Sequence, residues 1–129
     1  MRKWIVAGLV LALLAPASAQ AKPDLPTMTL PDLKFLVGKA LKRERQLDYH
    51  ESSGEVGKCR LKGDQATGRC QVGFSTRRYG YYGHVIVGYH RSGDDVYAFY
   101  IMNFKRYNLK CLTNGNPPRR CMRRITLTS

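Results

Sequence analysis

The chain has 129 residues, of which 22 are Lys or Arg, nine are Asp or Glu and four are Cys, for a formal net charge of +13. That length leaves room for one domain and excludes a two-domain enzyme, while the charge selects anionic partners over cationic ones. The excess is uneven: residues 65–129 carry eleven Lys and Arg and only two acids, Asp94 and Asp95, whereas Asp24, Asp32, Glu44, Asp48, Glu51, Glu55 and Asp64 all precede them.

The first segment reads as an address. Arg2 and Lys3 precede an apolar run from Trp4 to Leu14, and Pro16, Ala17, Ser18 and Ala19 follow. This is the pattern of a secretory signal peptide over 1–19, with a second small-residue cleavage site after Ala21. The run falls well short of the ~20 residues that span a bilayer. The expected location is therefore secreted or periplasmic. Cleavage leaves 20 basic and nine acidic residues, a formal +11.

Residues 22–28 form a Pro-containing, extended leader, and 29–129 a single domain. Thr29 offers an N-cap hydroxyl, Pro31 fits a first helical turn, and Asp32 suits the helix dipole. Leu33, Leu36, Val37, Ala40 and Leu41 recur at helical spacing, which predicts a helix over 30–46 with Lys34, Lys39, Lys42, Arg43 and Arg45 mostly off the apolar stripe. The polar stretch from Tyr49 to Gly57 reads as a loop.

Strands follow. Lys58–Lys62 and Arg69–Phe74 flank a turn-rich connector from Gly63 to Gly68, and Arg77–Gly83 reads as a Tyr- and Gly-rich approach to the next strand. Tyr82–Arg91 and Val96–Tyr107 form a second hairpin around Ser92-Gly93-Asp94-Asp95. A two-residue turn at Gly93-Asp94 sets Val85, Val87 and Tyr89 against Met102, Tyr100 and Ala98 on an apolar face, with Gly83 opposite Phe104. Tyr82, His84, Ile86, Gly88 and His90 fall on the other face, against Lys105, Asn103, Ile101, Phe99 and Tyr97. Asn108–Arg120 is a loop, and Met122–Leu127 offers a last strand. The fold class is α+β, one N-terminal helix packed on a four- to five-stranded antiparallel sheet.

Cys59, Cys70, Cys111 and Cys121 lack the close pairing of zinc ligands, and in an exported chain an even count reads as two disulfides. Of three pairings, the local ones, Cys59–Cys70 and Cys111–Cys121, are favoured by the turn residues between them, each worth about 3 kcal/mol. The helix, then Cys59-Arg-Leu-Lys, Arg69-Cys70-Gln-Val-Gly-Phe, Gly83-His-Val-Ile-Val and a late Cys pair resemble small exported two-disulfide α+β proteins of actinobacteria over about residues 30–125. The resemblance implies the fold and the exported location, and no activity.

Three classes of function compete. A secreted ribonuclease would draw on His50, His84 and His90, but His84 and His90 on one strand stand about 20 Å apart. Glu44, Asp48, Glu51 and Glu55 suit a glycosidase only in principle. With all cysteines paired no thiol nucleophile remains, and no hydrolase, zinc-protease or phosphate-loop motif occurs. An inhibitor of a secreted hydrolase would present the constrained loop Asn114-Gly115-Asn116-Pro117-Pro118 to a protein target. The reading that uses what is abundant is a monomeric, non-enzymatic, cofactor-free module. Its partner would be an anionic cell-envelope polymer, other polyanion or anionic membrane surface, with nucleic acid as a further candidate. The residues that would carry it are Arg77, Arg78, Tyr82, Lys105, Arg106, Arg119, Arg120, Arg123 and Arg124. Arg forks pair with phosphate or carboxylate, and Tyr faces stack on rings.

Overall fold

The structure, a computed structural model, describes residues 25–112 and 114–129. The signal segment and residues 22–24 of the leader lie outside the described residues. No described helix is long and apolar enough to cross a membrane.

Helix α1 spans Leu30–Arg43 and starts as its sequence dictates. The Thr29 hydroxyl accepts from the Asp32 amide at 3.3 Å, and the Asp32 carboxylate accepts from the Thr29 amide at 2.9 Å, so two donors that helix geometry orphans are satisfied reciprocally. Leu33, Val37, Ala40 and Leu41 form the buried stripe. The helix ends three residues before the expected 46. Glu44 falls on that stripe, seven after Val37 and four after Ala40, where a continued helix would press a carboxylate against the apolar sheet. Instead Glu44 turns extended, a 3-10 turn at Arg45–Leu47 buries Leu47, and the Glu44 carboxylate accepts a hydrogen bond from the Tyr100 hydroxyl. That bond holds the Tyr100 phenol neutral, above its ordinary pKa.

Five strands form one antiparallel meander in chain order: β1 Gly54–Leu61, β2 Thr67–Ser75, β3 Tyr79–Ser92, β4 Asp95–Asn108 and β5 Met122–Thr128. The β3–β4 hairpin has the register read from its turn: Gly93 adopts a positive φ of 62°, Ser92 faces Asp95, Val85 faces Met102 and Gly83 faces Phe104. Two strands begin three or more residues earlier than expected. β1 starts at Gly54, inside the segment read as a loop, because a bulge between Val56 and Cys59 breaks the two-residue alternation that marks a strand. β3 starts at Tyr79 rather than Tyr82. Its Gly80, a loop signal in sequence, lies under the Tyr107 ring, where a Cβ would come within 2.3 Å of ring carbon.

One face of the sheet meets α1. Phe74 stacks on Tyr81 at 4.6 Å and stands edge-on to Phe104 at 5.8 Å and Tyr49 at 5.1 Å. Leu33, Leu41, Val85, Met102 and Phe104 complete the core. The two local disulfides form. Cys59–Cys70 joins residues that face each other across β1 and β2, and Cys111–Cys121 joins the 3-10 turns Leu109–Cys111 and Arg119–Cys121 that frame the last loop.

Candidate anion-binding surfaces

Strand alternation sends neighbours to opposite faces. Lys105 and Arg106 are consecutive on β4, and Arg123 and Arg124 are consecutive on β5. The register sets Lys105 directly against Arg124 on the outer face and Arg106 directly against Arg123 on the helix side. At the far edge, Arg60 of β1 stands directly against Arg69 of β2, also on the outer face. Three rungs of one sheet thus place cation against cation. None of the six side chains pairs with a carboxylate among the described residues; the Lys42 ammonium pairs with the Glu51 carboxylate instead, and His50 lies beside Asp48. Like charges facing across a ladder cost roughly 0.2–1 kcal/mol per pair, toward the low end where water screens them.

On the helix side the cations ring Tyr79. The Arg106 guanidinium lies 4.3 Å from the centre of the Tyr79 ring. These two residues are shared by two open clefts at the end of the sheet. The larger, of about 760 Å³, is lined also by Arg77, Arg78, Thr76, Tyr81, His50 and Asp48. The smaller is lined also by Arg120, Arg123 and Asn108. Five arginines therefore open onto one basin. The turn that presents Arg77 and Arg78 is held by Thr76, whose hydroxyl accepts from the Arg78 and Tyr79 amides.

The outer face carries a different set. Tyr82 is 45% exposed, and the Lys105 ammonium stands 5.8 Å from its ring centre. One shallow cleft beside it is lined by His84, Asn103, Lys105 and Arg124. A second, sharing Tyr82, Gly83 and His84, is lined by Lys58, Arg69, Gln71 and one acid, Glu55. Between the charged rungs runs a neutral one, Gln71–His84–Asn103–Thr126, in which the Thr126 hydroxyl donates to the Asn103 carbonyl at 2.9 Å and the Asn103 amide lies 3.4 Å from His84 Nε2.

The nine residues singled out from sequence therefore divide. Tyr82, Lys105 and Arg124 belong to the outer face; Arg77, Arg78, Arg106, Arg120 and Arg123 belong to the basin; Arg119 lines none of these clefts. Arg60, Arg69 and Gln71 on the outer face were not among the residues singled out from sequence, and Asn103 was placed on that face but not counted among them. Two signals were available: the turn of the second hairpin sets Asn103 against His84, and opposing Cys59 to Cys70 sets Arg60 against Arg69, because the bulge between Val56 and Cys59 lies beyond that rung. The three histidines lie apart. His50 sits beside Asp48 on the helix side, with Nε2 3.4 Å from Oδ1, His84 is central on the outer face, and His90 lies near the hairpin tip against Tyr97 and Phe99. No two of them flank a common point.

Burial, and then the Arg69 cation, hold His84 below its ordinary pKa of 6.5. The unfolded chain accordingly takes up this proton first, and His84 withdraws stability as pH falls below 6.5. An NMR titration of the imidazole should give a midpoint under that value, and Arg69→Gln should move it upward only part of the way, because burial is the larger cause. A midpoint at or above 6.5 would contradict this environment.

No protein-family model, curated protein or solved structure matches the chain.

Proposed function

We propose that this protein is an exported, non-enzymatic module that binds an anionic polymer of the cell envelope through its cationic sheet. The observation that carries the reading is the set of three rungs in which cation faces cation without a carboxylate: Arg60–Arg69, Lys105–Arg124 and Arg106–Arg123. Repulsion of this kind is a standing cost to the folded state, and a bound polyanion converts each such pair into a bidentate clamp on phosphate or carboxylate. Arginine suits this use, since its planar fork stays charged and sheds water more readily than an ammonium. Export rests on the signal-like N-terminus and agrees with two disulfides. Placement outside the cytoplasm favours wall polymers over nucleic acid.

The test is binding of the mature protein to poly(glycerol phosphate), with nucleic acid and anionic vesicles as competitors. Retention should fall steeply with salt, as counterion release requires. A control protein of equal net charge and dispersed cations should elute earlier. Co-elution of the two would remove the reading.

A further inference from the structure

Neighbouring cations on β4 and β5 point to opposite sides of a sheet. Lys105 and Arg124 share the outer face with Tyr82, while Arg106 and Arg123 share the helix side with Tyr79. Each surface repeats the same unit: a facing pair of cations drawn from β4 and β5, one of them lying over a tyrosine ring at 5.8 Å outside and 4.3 Å inside. Each unit is extended by further cations on its own side, Lys58, Arg60 and Arg69 outside, and Arg77, Arg78 and Arg120 at the basin. A sheet layer about 10 Å thick separates the two. A straight polymer lying on one face leaves the other unoccupied.

We infer that the protein is bivalent and bridges two anionic chains, one on each face of the sheet. This rests on the anion-binding reading above and adds to it a mechanical role, cross-linking the polymer. Two weak contacts on one rigid body also raise overall avidity within a dense polymer layer, because the second contact forms at high effective concentration. The basin, with five arginines, suits phosphate or carboxylate forks. The outer face, with an exposed Tyr and the neutral row Gln71–His84–Asn103, suits an anionic chain that also presents hydroxyl groups.

Isothermal titration with a glycerol phosphate oligomer too short to reach round the sheet edge separates this arrangement from a single wrapped site. Two oligomers should bind each protein. Lys105→Gln with Arg124→Gln removes the outer pair, and Arg106→Gln with Arg123→Gln removes the inner pair. Each double variant should bind one oligomer with the affinity of the remaining face. Light scattering with long poly(glycerol phosphate) should rise with the parent protein and fall at least tenfold with either double variant. A charge-matched control, Lys34→Gln with Lys62→Gln, removes two exposed cations that line neither surface and should scatter like the parent. Binding of one oligomer to the parent overturns bivalency while leaving anion binding intact, as does equal loss of scattering in the charge-matched control. Absence of any oligomer binding overturns both.

Discussion

Replacing Phe104 with Ala should destabilise the protein by about 3–5 kcal/mol, read by urea unfolding. Phe104 is 1% exposed, stands edge-on to Phe74 and Tyr81, and faces Gly83 and Ile125 across its two strand neighbours. Phe104 ties the helix-side core to both flanking strands and immediately precedes Lys105 and Arg106, the cations that define the two surfaces. Natural domains hold a net of roughly 5–15 kcal/mol, so the variant would sit near the threshold of folding. A loss under about 1 kcal/mol would contradict the packing described, since full truncation of a buried ring cannot be that mild in a close-packed core.

The second large effect belongs to Gly83. A Cβ at this position would lie 2.0 Å from the Asn103 carbonyl oxygen and 2.9 Å from the Phe104 Cα, both backbone atoms that cannot swing aside. Gly83→Ala must therefore force β3 and β4 apart at the rungs that carry Tyr82–Lys105 and His84–Asn103. The expected cost is at or above the ~3 kcal/mol upper end for overpacking, together with weakened binding at the outer face. Gly63→Ala provides the contrast: nothing lies within 4 Å of a Cβ there, and the change should be close to neutral. A Gly83→Ala variant as stable as Gly63→Ala would mean that β3 and β4 do not approach as described.

Much of this architecture was legible in the residues. Thr29 and Asp32 announced a capping box and it formed; Gly93 announced a turn, and the turn fixed the full register of β3 against β4. Composition and local turn chemistry sufficed for the pairing of the cysteines. What was hidden depends on contacts between distant segments. The bulge between Val56 and Cys59 erases the alternation by which β1 could be recognised, and the early end of α1 follows from where Glu44 meets Tyr100, 56 residues later. The surfaces were half legible. The cationic residues were obvious, but treating Lys105, Arg106, Arg123 and Arg124 as one site ignored the period of two that a strand imposes. Pairing β5 to β4 sorts them into two faces and creates like-charge rungs, which no linear count of charges reveals.

Those rungs make the central claim open to a direct test, because they couple stability and binding with opposite signs. Arg123→Gln with Arg124→Gln removes one cation from each β4–β5 rung without touching either cation–tyrosine contact. Relief of two facing repulsions of roughly 0.2–1 kcal/mol each should stabilise the free protein. At about 4–8 °C per kcal/mol for a domain near this size, the melting temperature should rise by a few degrees. Saturating poly(glycerol phosphate) should raise the melting temperature of the parent, as any ligand of the folded state does, and should raise that of the double variant much less. The measurement is therefore the thermal melt of both proteins with and without the polymer at low salt. The expected result is a variant that melts higher alone and gains less on binding. A variant that melts lower alone, or that gains as much from the polymer as the parent does, would contradict it.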